Sequence, residues 1–212
     1  MKNRMRLLIG GGIAAFICLA AWALGGYSLA FETAVYRLLH ALPDGFGSFF
    51  LFITRLGNTG FVLLLLAVFL AFNRRLGRYV LLDAALSTAL NRLLKGIFQR
   101  SRPDFTHLVQ AGGYSFPSGH AMISVSLYGF LLYLTIRHVS NSMTRRLLSV
   151  LLAALMVLIP VSRIYLGVHY ASDVLAGSLA SAMYLCVFLH WYTQRERTSA
   201  ALRTKSECDE GL

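Results

Sequence analysis

The sequence predicts an all-α membrane protein built as a bundle of six transmembrane helices. Two observations lead to this prediction, namely composition and the spacing of apolar runs. Of the 212 residues, 57% are hydrophobic and only 14% are charged, and the mean hydropathy is +0.62. Soluble domains are about 45–50% apolar and about 25% charged. Six long runs with few charges recur along the chain, and a lipid-exposed backbone must satisfy its own hydrogen bonds, as a helix does.

The six spans divide the chain into one membrane domain and a tail. Some runs are shorter than the roughly 20 residues of a full crossing, so polar residues such as Lys95, His120 and Arg163 must form their ends. One domain is predicted over residues 1–193, and the polar segment 194–212 is predicted to be disordered. The predicted spans are 7–31, 56–72, 79–94, 121–136, 147–162 and 174–193.

The first apolar run, 7–31, follows the basic start MKNRMR. A cleaved signal peptide is the alternative, because Ala21-Trp22-Ala23 resembles a cleavage site, but the hydrophobic region of a signal peptide is usually about 7–15 residues. The 25 uncharged residues of this run favour a retained span. The stretch 31–42 has apolar residues at helical spacing and is predicted to lie along the outer interface.

The distribution of Lys and Arg predicts the orientation of the bundle. Thirteen of the 20 basic residues lie on one side of it. The excess of positive charge marks the cytoplasmic side, so both termini are expected in the cytoplasm. Segments 26–55, 95–120 and 163–173 then face outward. The thirteen residues are Lys2, Arg4, Arg6, Arg74, Arg75, Arg78, Arg137, Arg145, Arg146, Arg195, Arg197, Arg203 and Lys205.

The net charge of +11 does not indicate nucleic-acid binding, because the basic residues form short clusters between apolar runs. The cysteines Cys18, Cys186 and Cys208 lie in two separate spans and the tail, so their spacing predicts neither a disulfide framework nor a metal site. The inner loops are too short for a folded domain and contain no Gly-rich phosphate loop. Any chemistry must therefore lie at the outer ends of the helices.

Three outward segments carry an unusual set of charged residues. KGIFQRSRP supplies Lys95 and Arg102, and the third segment, SRIYLGVHYASD (162–173), supplies Arg163. The guanidinium fork suits phosphate oxygens, and lysine acts as a point charge. A metal site is the alternative interpretation of the nearby His120, His169 and Asp173. Three adjacent cations would repel a divalent ion but would hold a phosphate.

The second segment, PSGH (117–120), stands where the fourth span begins. A proline followed by small Ser118 and Gly119 exposes backbone N–H groups at the positive end of a helix dipole, which suits an anion. His120 lies in the first turn. An ordinary helix cap explains this segment equally well when it is taken alone.

His169 and Asp173 are spaced i,i+4 and are predicted to share one helical face. A carboxylate that accepts from one imidazole nitrogen leaves the other free as a nucleophile. A structural His–Asp pair is the alternative for these two residues alone. Together with the anion site, the three cations and His120, the pair predicts phosphoryl transfer, which depends on positioning and on stabilising charge on the phosphoryl oxygens.

In these three motifs the chain resembles the type 2 phosphatidic acid phosphatase superfamily, whose signature is K-x6-R-P, P-S-G-H and S-R-x5-H-x3-D. All three motifs are present with no departure in residue or spacing, and the six-helix layout covers nearly the whole chain. The segments RPDF, FPSGHAM and SRIYLGVHY are most similar to those of bacterial phosphatidylglycerophosphatase B-type enzymes. Members of that group also dephosphorylate undecaprenyl diphosphate. The resemblance implies a multi-pass protein of the bacterial plasma membrane.

The resemblance also implies a role for each motif residue. His169 would attack phosphorus and form a phosphohistidine, Asp173 would orient His169, and His120 would protonate the leaving oxygen and then activate water. No metal or other cofactor is implied. The residues expected to hold the phosphoryl oxygens are Lys95, Arg102, Ser118, the Gly119 amide and Arg163.

The motifs are predicted to lie at the ends of the membrane helices, and this position favours a lipid substrate. Undecaprenyl diphosphate is the first candidate, phosphatidylglycerophosphate the second and phosphatidic acid the third. A transporter that binds phosphate is the alternative outside enzymes, but the sequence shows neither inverted repeats nor paired interrupted spans. Vanadium-dependent oxidation, which haloperoxidases with this signature perform, does not suit a six-span membrane setting.

Three other polar residues have two interpretations each. Asp83, inside the third span, is a candidate for function by its position, although a structural pairing is favoured. Asn91 stands one turn before Lys95 and either orients it or bridges helices. Arg55 either touches a second phosphate or extends its charge to the interface.

Overall fold

The computed structural model of this protein describes residues 2–43 and 45–210, with side chains described over 6–43, 45–199 and 201–202. Within these residues the fold is all-α and contains no strand, so the predicted fold class is confirmed at that level. The helices are α1 (Lys2–Leu24), α2 (Leu29–His40), α3 (Phe46–Arg55), α4 (Thr59–Phe72), α5 (Arg74–Phe98), α6 (Gly119–His138), α7 (Ser142–Tyr165) and α8 (Ala171–Glu210).

Four of the described helical segments are long and apolar enough to cross a membrane: Arg6–Leu24, Gly119–His138, Ser142–Tyr165 and Ala171–Ser199. Helices α3 and α4 form a fifth candidate only as a pair, because they meet at an angle of 49°. Helix α5 has 25 residues, long enough for a crossing at about 1.5 Å per residue, but its charged residues keep it out of this set. The chain is a multi-span membrane protein, and the count of six spans stays a prediction.

The N-terminal boundaries differ from those predicted. The run 7–31 is not one helix, because α1 ends at Leu24 and Gly26 has a φ of +79°, a conformation that glycine adopts without steric cost. Residues 29–31 instead begin α2, which confirms a helix in the stretch 31–42. Residues 56–58 form the bend before α4, so the predicted span 56–72 is helical only from Thr59.

The C-terminal segment also differs from the prediction. Residues 194–210, expected to be disordered, continue α8 as helix to Glu210, and 211–212 lie outside the described residues. The segment contains three Arg, three Glu and two Ala, which are strong helix formers. Its Glu196 forms an ion pair with Arg75 of α5 at 2.9 Å, which ties the extended helix to the bundle.

Helix α6 is the central element of the bundle and packs against α5, α7 and α8. Its buried Leu127, Phe130 and Leu134 join Ile159 of α7 and Phe188 of α8 in the main apolar core. A π-helical turn interrupts α6 at Ser124–Tyr128. This packing fixes the N-terminal end of α6, which carries the PSGH motif, against the ends of its neighbours.

Candidate active site

The three signature motifs meet at one end of the bundle. Lys95 lies near the C-terminal end of α5, PSGH forms the start of α6, and Arg163 lies in the last turn of α7. Arg102 belongs to the loop after α5, and His169 to the turn between α7 and α8. Hydrogen bonds across these elements connect the motifs, as the individual side chains show.

His169 and Asp173 are in contact, but His169 lies before the first turn of α8 and not within it. The predicted common helical face is therefore replaced by a turn-to-helix contact. His169 Nδ1 lies 3.4 Å from Asp173 Oδ2 and 3.2 Å from Ser115 Oγ. The Ser115 hydroxyl donates a short hydrogen bond to the same carboxylate oxygen. Ser115 therefore bridges the pair, and only Nε2 of His169 remains for other partners.

Arg102 faces that remaining nitrogen. Its Nη1 lies 3.4 Å from His169 Nε2 and donates to the Val168 carbonyl oxygen at 2.6 Å. Nε and Nη2 donate to the carbonyl oxygens of Gly113 and Gly112 at 3.1 and 2.8 Å. These bonds fix the guanidinium plane beside the imidazole, at the position where an anion bound to Nε2 would be neutralised.

Burial sets the protonation state of His169, which is 3% exposed. Desolvation lowers the pKa of His169 to about 4, against the opposing effect of the Asp173 hydrogen bond and charge. The imidazole is therefore neutral at neutral pH, as a nucleophile requires. Burial also lowers the pKa of Arg102, again opposed by Asp173, but a guanidinium stays protonated in proteins.

The first turn of α6 is held against α8. Ser118 caps the helix, and its Oγ accepts from the Ala121 N–H at 3.5 Å. The Ser118 N–H donates to the Asp173 carbonyl oxygen at 3.0 Å. A Cβ at Gly177 would lie 2.7 Å from the Ser118 carbonyl oxygen, so only glycine permits this approach. Gly177 therefore lets α8 pack closely against the start of α6, as small residues do between membrane helices.

The two other predicted cations differ in their contacts. Arg163 is 6% exposed, and its Nη1 donates to Thr54 Oγ1 of α3 at 2.7 Å. Its Nε is buried without a hydrogen-bond partner among the described residues, a state that costs about 1–3 kcal/mol and that an anion would relieve. Lys95 Nζ donates to the Ser115 carbonyl oxygen at 3.3 Å and, in a shorter bond, to that of Tyr114.

His120 is held by a residue of the α3–α4 bend. Its Nε2 lies 2.7 Å from Asn58 Oδ1. A proton on Nε2 makes this a hydrogen bond in which the imidazole donates. Asn58 thus orients the side chain for which the family resemblance implies proton transfer.

A buried ionic network lies behind Asp173. Arg100 Nη1 donates to Asp173 Oδ1 at 2.7 Å and to Ser172 Oγ at 2.8 Å, and its Nη2 lies 3.6 Å from Oε1 of Glu32. Glu32, from α2, is 1% exposed and accepts from the Ser172 N–H at 3.2 Å and hydroxyl at 2.5 Å. The arginine also lies 4.0 Å from the centre of the Tyr170 ring.

Sequence reasoning missed several residues of this end of the bundle. Of these residues, Glu32 could have been identified from the sequence, because a carboxylate that adjoins a long apolar run usually has a charged or polar partner. Arg100 occupies one of the six positions of the first motif at which the motif specifies no residue type. The others are polar residues with no distinguishing pattern: Thr54, Asn58 and Ser115.

The structure shows the surroundings of Asn91, Asp83 and Arg55, the three residues with two interpretations each. Asn91 bridges α5 and the PSGH motif, because its Nδ2 donates to the Pro117 carbonyl oxygen at 3.1 Å. Asp83 is fully buried, and the Tyr184 hydroxyl of α8 donates to its backbone carbonyl oxygen at 3.2 Å, while its carboxylate oxygens have no hydrogen-bond partner among the described residues. Arg55 ends α3 and is exposed. In the part of the chain described, no three His, Cys, Asp or Glu side chains form a metal-type cluster.

The protein is a membrane-type helical bundle whose cluster of buried polar residues lies where several helix ends meet. The PAP2 superfamily model matches residues 76–197, which is more than half of the chain. The chain therefore belongs to the PAP2 superfamily, as the resemblance in its motifs predicted.

Two curated proteins are similar to part of this chain. Phosphatidylglycerophosphatase B of Bacillus subtilis (strain 168) is 37% identical over 131 residues, which is 59% of this chain and 64% of that protein. Dolichyldiphosphatase 1 of Homo sapiens is 33% identical over 133 residues, which is 58% of this chain and 56% of that protein. The chain thus spans less than two thirds of the length of either relative.

Two crystal structures are similar to this fold. The transmembrane PAP2-type phosphatidylglycerolphosphate phosphatase of Bacillus subtilis has a TM-score of 0.79 at 26% identity and covers 88% of this chain and 96% of its own. Aquifex aeolicus LpxE has a TM-score of 0.60 at 25% identity and covers 74% of this chain and 94% of its own.

Proposed function

We propose that this protein is a lipid phosphatase that removes the terminal phosphate of a membrane lipid phosphate or diphosphate through a phosphohistidine on His169. One observation carries the proposal. His169 Nδ1 is occupied by Asp173 and Ser115, while its Nε2 faces the guanidinium of Arg102 at 3.4 Å. This is the arrangement of an oriented nucleophile beside a cation that holds the phosphoryl group.

The reaction follows in two steps. The Nε2 lone pair of His169 forms the N–P bond as the P–O bond to the lipid breaks, and His120 gives its proton to the leaving oxygen. His120 then takes a proton from water, whose oxygen attacks phosphorus, and the N–P bond breaks to release inorganic phosphate. Asp173 stabilises the positive charge on the phosphorylated ring. Arg102, Arg163 and the other predicted phosphate ligands hold the equatorial oxygens.

The proposed reaction needs no metal ion. Lys95, Arg102 and Arg163 supply three positive charges at the place where negative charge develops on the phosphoryl oxygens. The buried Arg163 Nε, which lacks a partner among the described residues, provides one donor for them. Loss of activity after exhaustive chelation would contradict this part of the proposal.

Undecaprenyl diphosphate is the first candidate substrate, and its product would be undecaprenyl phosphate. The relatives support a lipid phosphate of this kind, since one is named for phosphatidylglycerophosphate and another for a dolichyl diphosphate. Phosphatidylglycerophosphate is the second candidate and phosphatidic acid the third. We place the site on the outer face of the plasma membrane, with both termini in the cytoplasm, because the basic residues concentrate at the opposite helix ends.

Phosphate release from these three lipids, measured in parallel with the purified protein in one detergent, tests the proposal. We expect the highest kcat/KM with undecaprenyl diphosphate. A higher value with phosphatidylglycerophosphate would reassign the substrate, and release from none of the three would overturn the function. A transporter that binds phosphate without hydrolysing a lipid would give that last result.

The protonation of His169 leads to a prediction about pH. A pKa lowered by burial to about 4 keeps the imidazole neutral as the pH falls through 6.5, the usual value for histidine. The nucleophile is therefore present above about pH 4 and is lost as the pH falls through that value. NMR titration of histidine ring carbons in detergent micelles, with the His169 signal assigned by its loss in His169→Ala, measures this pKa. A midpoint near 6.5 would contradict the prediction.

A further inference from the structure

A cavity of about 530 Å³ adjoins His120, a size typical of ligand pockets. Its walls are the α3–α4 bend with the start of α4, two turns of α5, and the first turn of α6. The lining residues that matter for its chemistry are Asn58, Thr59, Thr88, Arg92, Gly119 and His120. None of the described residues that line it is acidic.

The geometry of the proposed reaction determines which part of a substrate enters this cavity. The inference therefore rests on the proposed function. The nucleophile and the leaving oxygen lie roughly in line on opposite sides of phosphorus. His169 attacks from one side, so the leaving oxygen faces His120, which protonates it. The group that remains on the leaving oxygen therefore lies in the cavity that His120 lines.

Arg92 gives this cavity a positive charge. It stands on α5 three residues before Lys95, and its side chain is exposed. The ion pairs of the described residues involve other cations, Arg75, Arg100 and His169, so Arg92 has no carboxylate partner there. Without an acidic partner, the charge of Arg92 is not compensated by another side chain of the described residues. An anionic group in the cavity would give it a partner.

We propose that this cavity binds the second phosphate of a lipid diphosphate, with Arg92 as the residue that determines specificity. In a diphosphate the leaving oxygen belongs to a phosphate that stays on the lipid, and this phosphate carries negative charge into the cavity. In a monophosphate the leaving oxygen is attached to carbon, and the cavity receives no charge. Asn58, Thr59 and Thr88 supply neutral polar groups around the same phosphate.

A matched pair of substrates isolates the second phosphate. The probes are farnesyl diphosphate and farnesyl monophosphate in the same micelles, because they share one lipid chain and differ only in that group. We expect Arg92→Met to lower kcat/KM for the diphosphate by about 10- to 100-fold, as for the loss of a charge-assisted hydrogen bond, and to leave the monophosphate within about twofold. Arg92→Lys should retain an intermediate preference for the diphosphate.

Arg55 provides the control, since it is also an exposed arginine near the α3–α4 bend but does not line the cavity. Arg55→Met should change both substrates by the same small factor. Equal losses on both substrates with Arg92→Met, or no loss on the diphosphate, would overturn the assignment while the phosphatase function stands. A wild-type protein inactive on both probes and on the three lipids above would overturn the function itself and this inference with it.

Discussion

His169→Ala should reduce phosphate release by about 10⁴-fold or more, the size expected when the only nucleophile is removed. Among the residues that the structure describes, no other imidazole has one nitrogen in contact with a carboxylate and a hydroxyl and the other nitrogen beside an arginine. The alanine variant keeps the surrounding hydrogen bonds between Ser115 and Asp173. Turnover within tenfold of wild type would disprove the proposed mechanism.

Two controls separate loss of the nucleophile from loss of the fold. The thermal transition of His169→Ala in detergent should remain cooperative and lie close to that of the wild-type protein. Covalent trapping provides the second readout, because phosphohistidine is stable in alkali and labile in acid. With a ³²P-labelled diphosphate, whose leaving phosphate needs little protonation, His120→Asn slows hydrolysis of the intermediate more than its formation and should accumulate label. The double variant with His169→Ala should accumulate none.

The sequence motifs predicted which residues lie together at one end of the bundle, because the motifs combine residue type with fixed spacing. Lys95, His120 and Arg163 occupy helix ends, and the end of a membrane helix is where a charge is tolerated. The apolar runs therefore predict that these residues lie at the same face of the membrane, and the packing of the helices brings them near one another. Ser115 and Asn58 were beyond prediction, since their roles depend on how a loop and a bend approach the two histidines. No periodicity encodes such an approach.

The fold was predictable in class but not in its boundaries. Hydropathy cannot distinguish a 25-residue span from a helix that ends at Leu24 and is followed by another, because Gly25 and Gly26 are as uncharged as their neighbours. The partnership of Glu32 with Arg100 joins residues far apart in the sequence. The packing of α2 against α8 brings Glu32 to Ser172, and Arg100 of the loop after α5 contacts the same residue.

Arg100→Met should destabilise the protein by about 3–5 kcal/mol, the cost of removing one partner from a buried ionic group. The guanidinium is 11% exposed, and it lies between Glu32 and Asp173, whose side chains are fully buried. Without the cation, two carboxylates would share the Ser172 end of α8 with no compensating charge. Arg75→Met is the matched control. It breaks the Arg75–Glu196 pair, whose side chains are 37% and 35% exposed, and should cost less than about 1 kcal/mol.

The same substitution distinguishes a positioning role of Arg100 from a merely structural one. Arg100 binds Asp173 Oδ1, while His169 and Ser115 contact Oδ2, so the arginine fixes the carboxylate that contacts the proposed nucleophile. We expect kcat of Arg100→Met to fall about 10- to 100-fold, as for the outer hydrogen-bond partners of metal ligands, with KM nearly unchanged.

Adding Glu32→Gln to Arg100→Met removes one of the two uncompensated carboxylates. The glutamine side-chain oxygen still accepts a hydrogen bond from Ser172, so the double variant should regain at least about half of the lost thermal stability. Its kcat should stay low, because Asp173 Oδ1 still lacks its donor. Recovery of kcat together with stability would show that Arg100 acts only on the fold. Recovery of stability alone would establish that Arg100, through Asp173, supports the orientation of the proposed nucleophile.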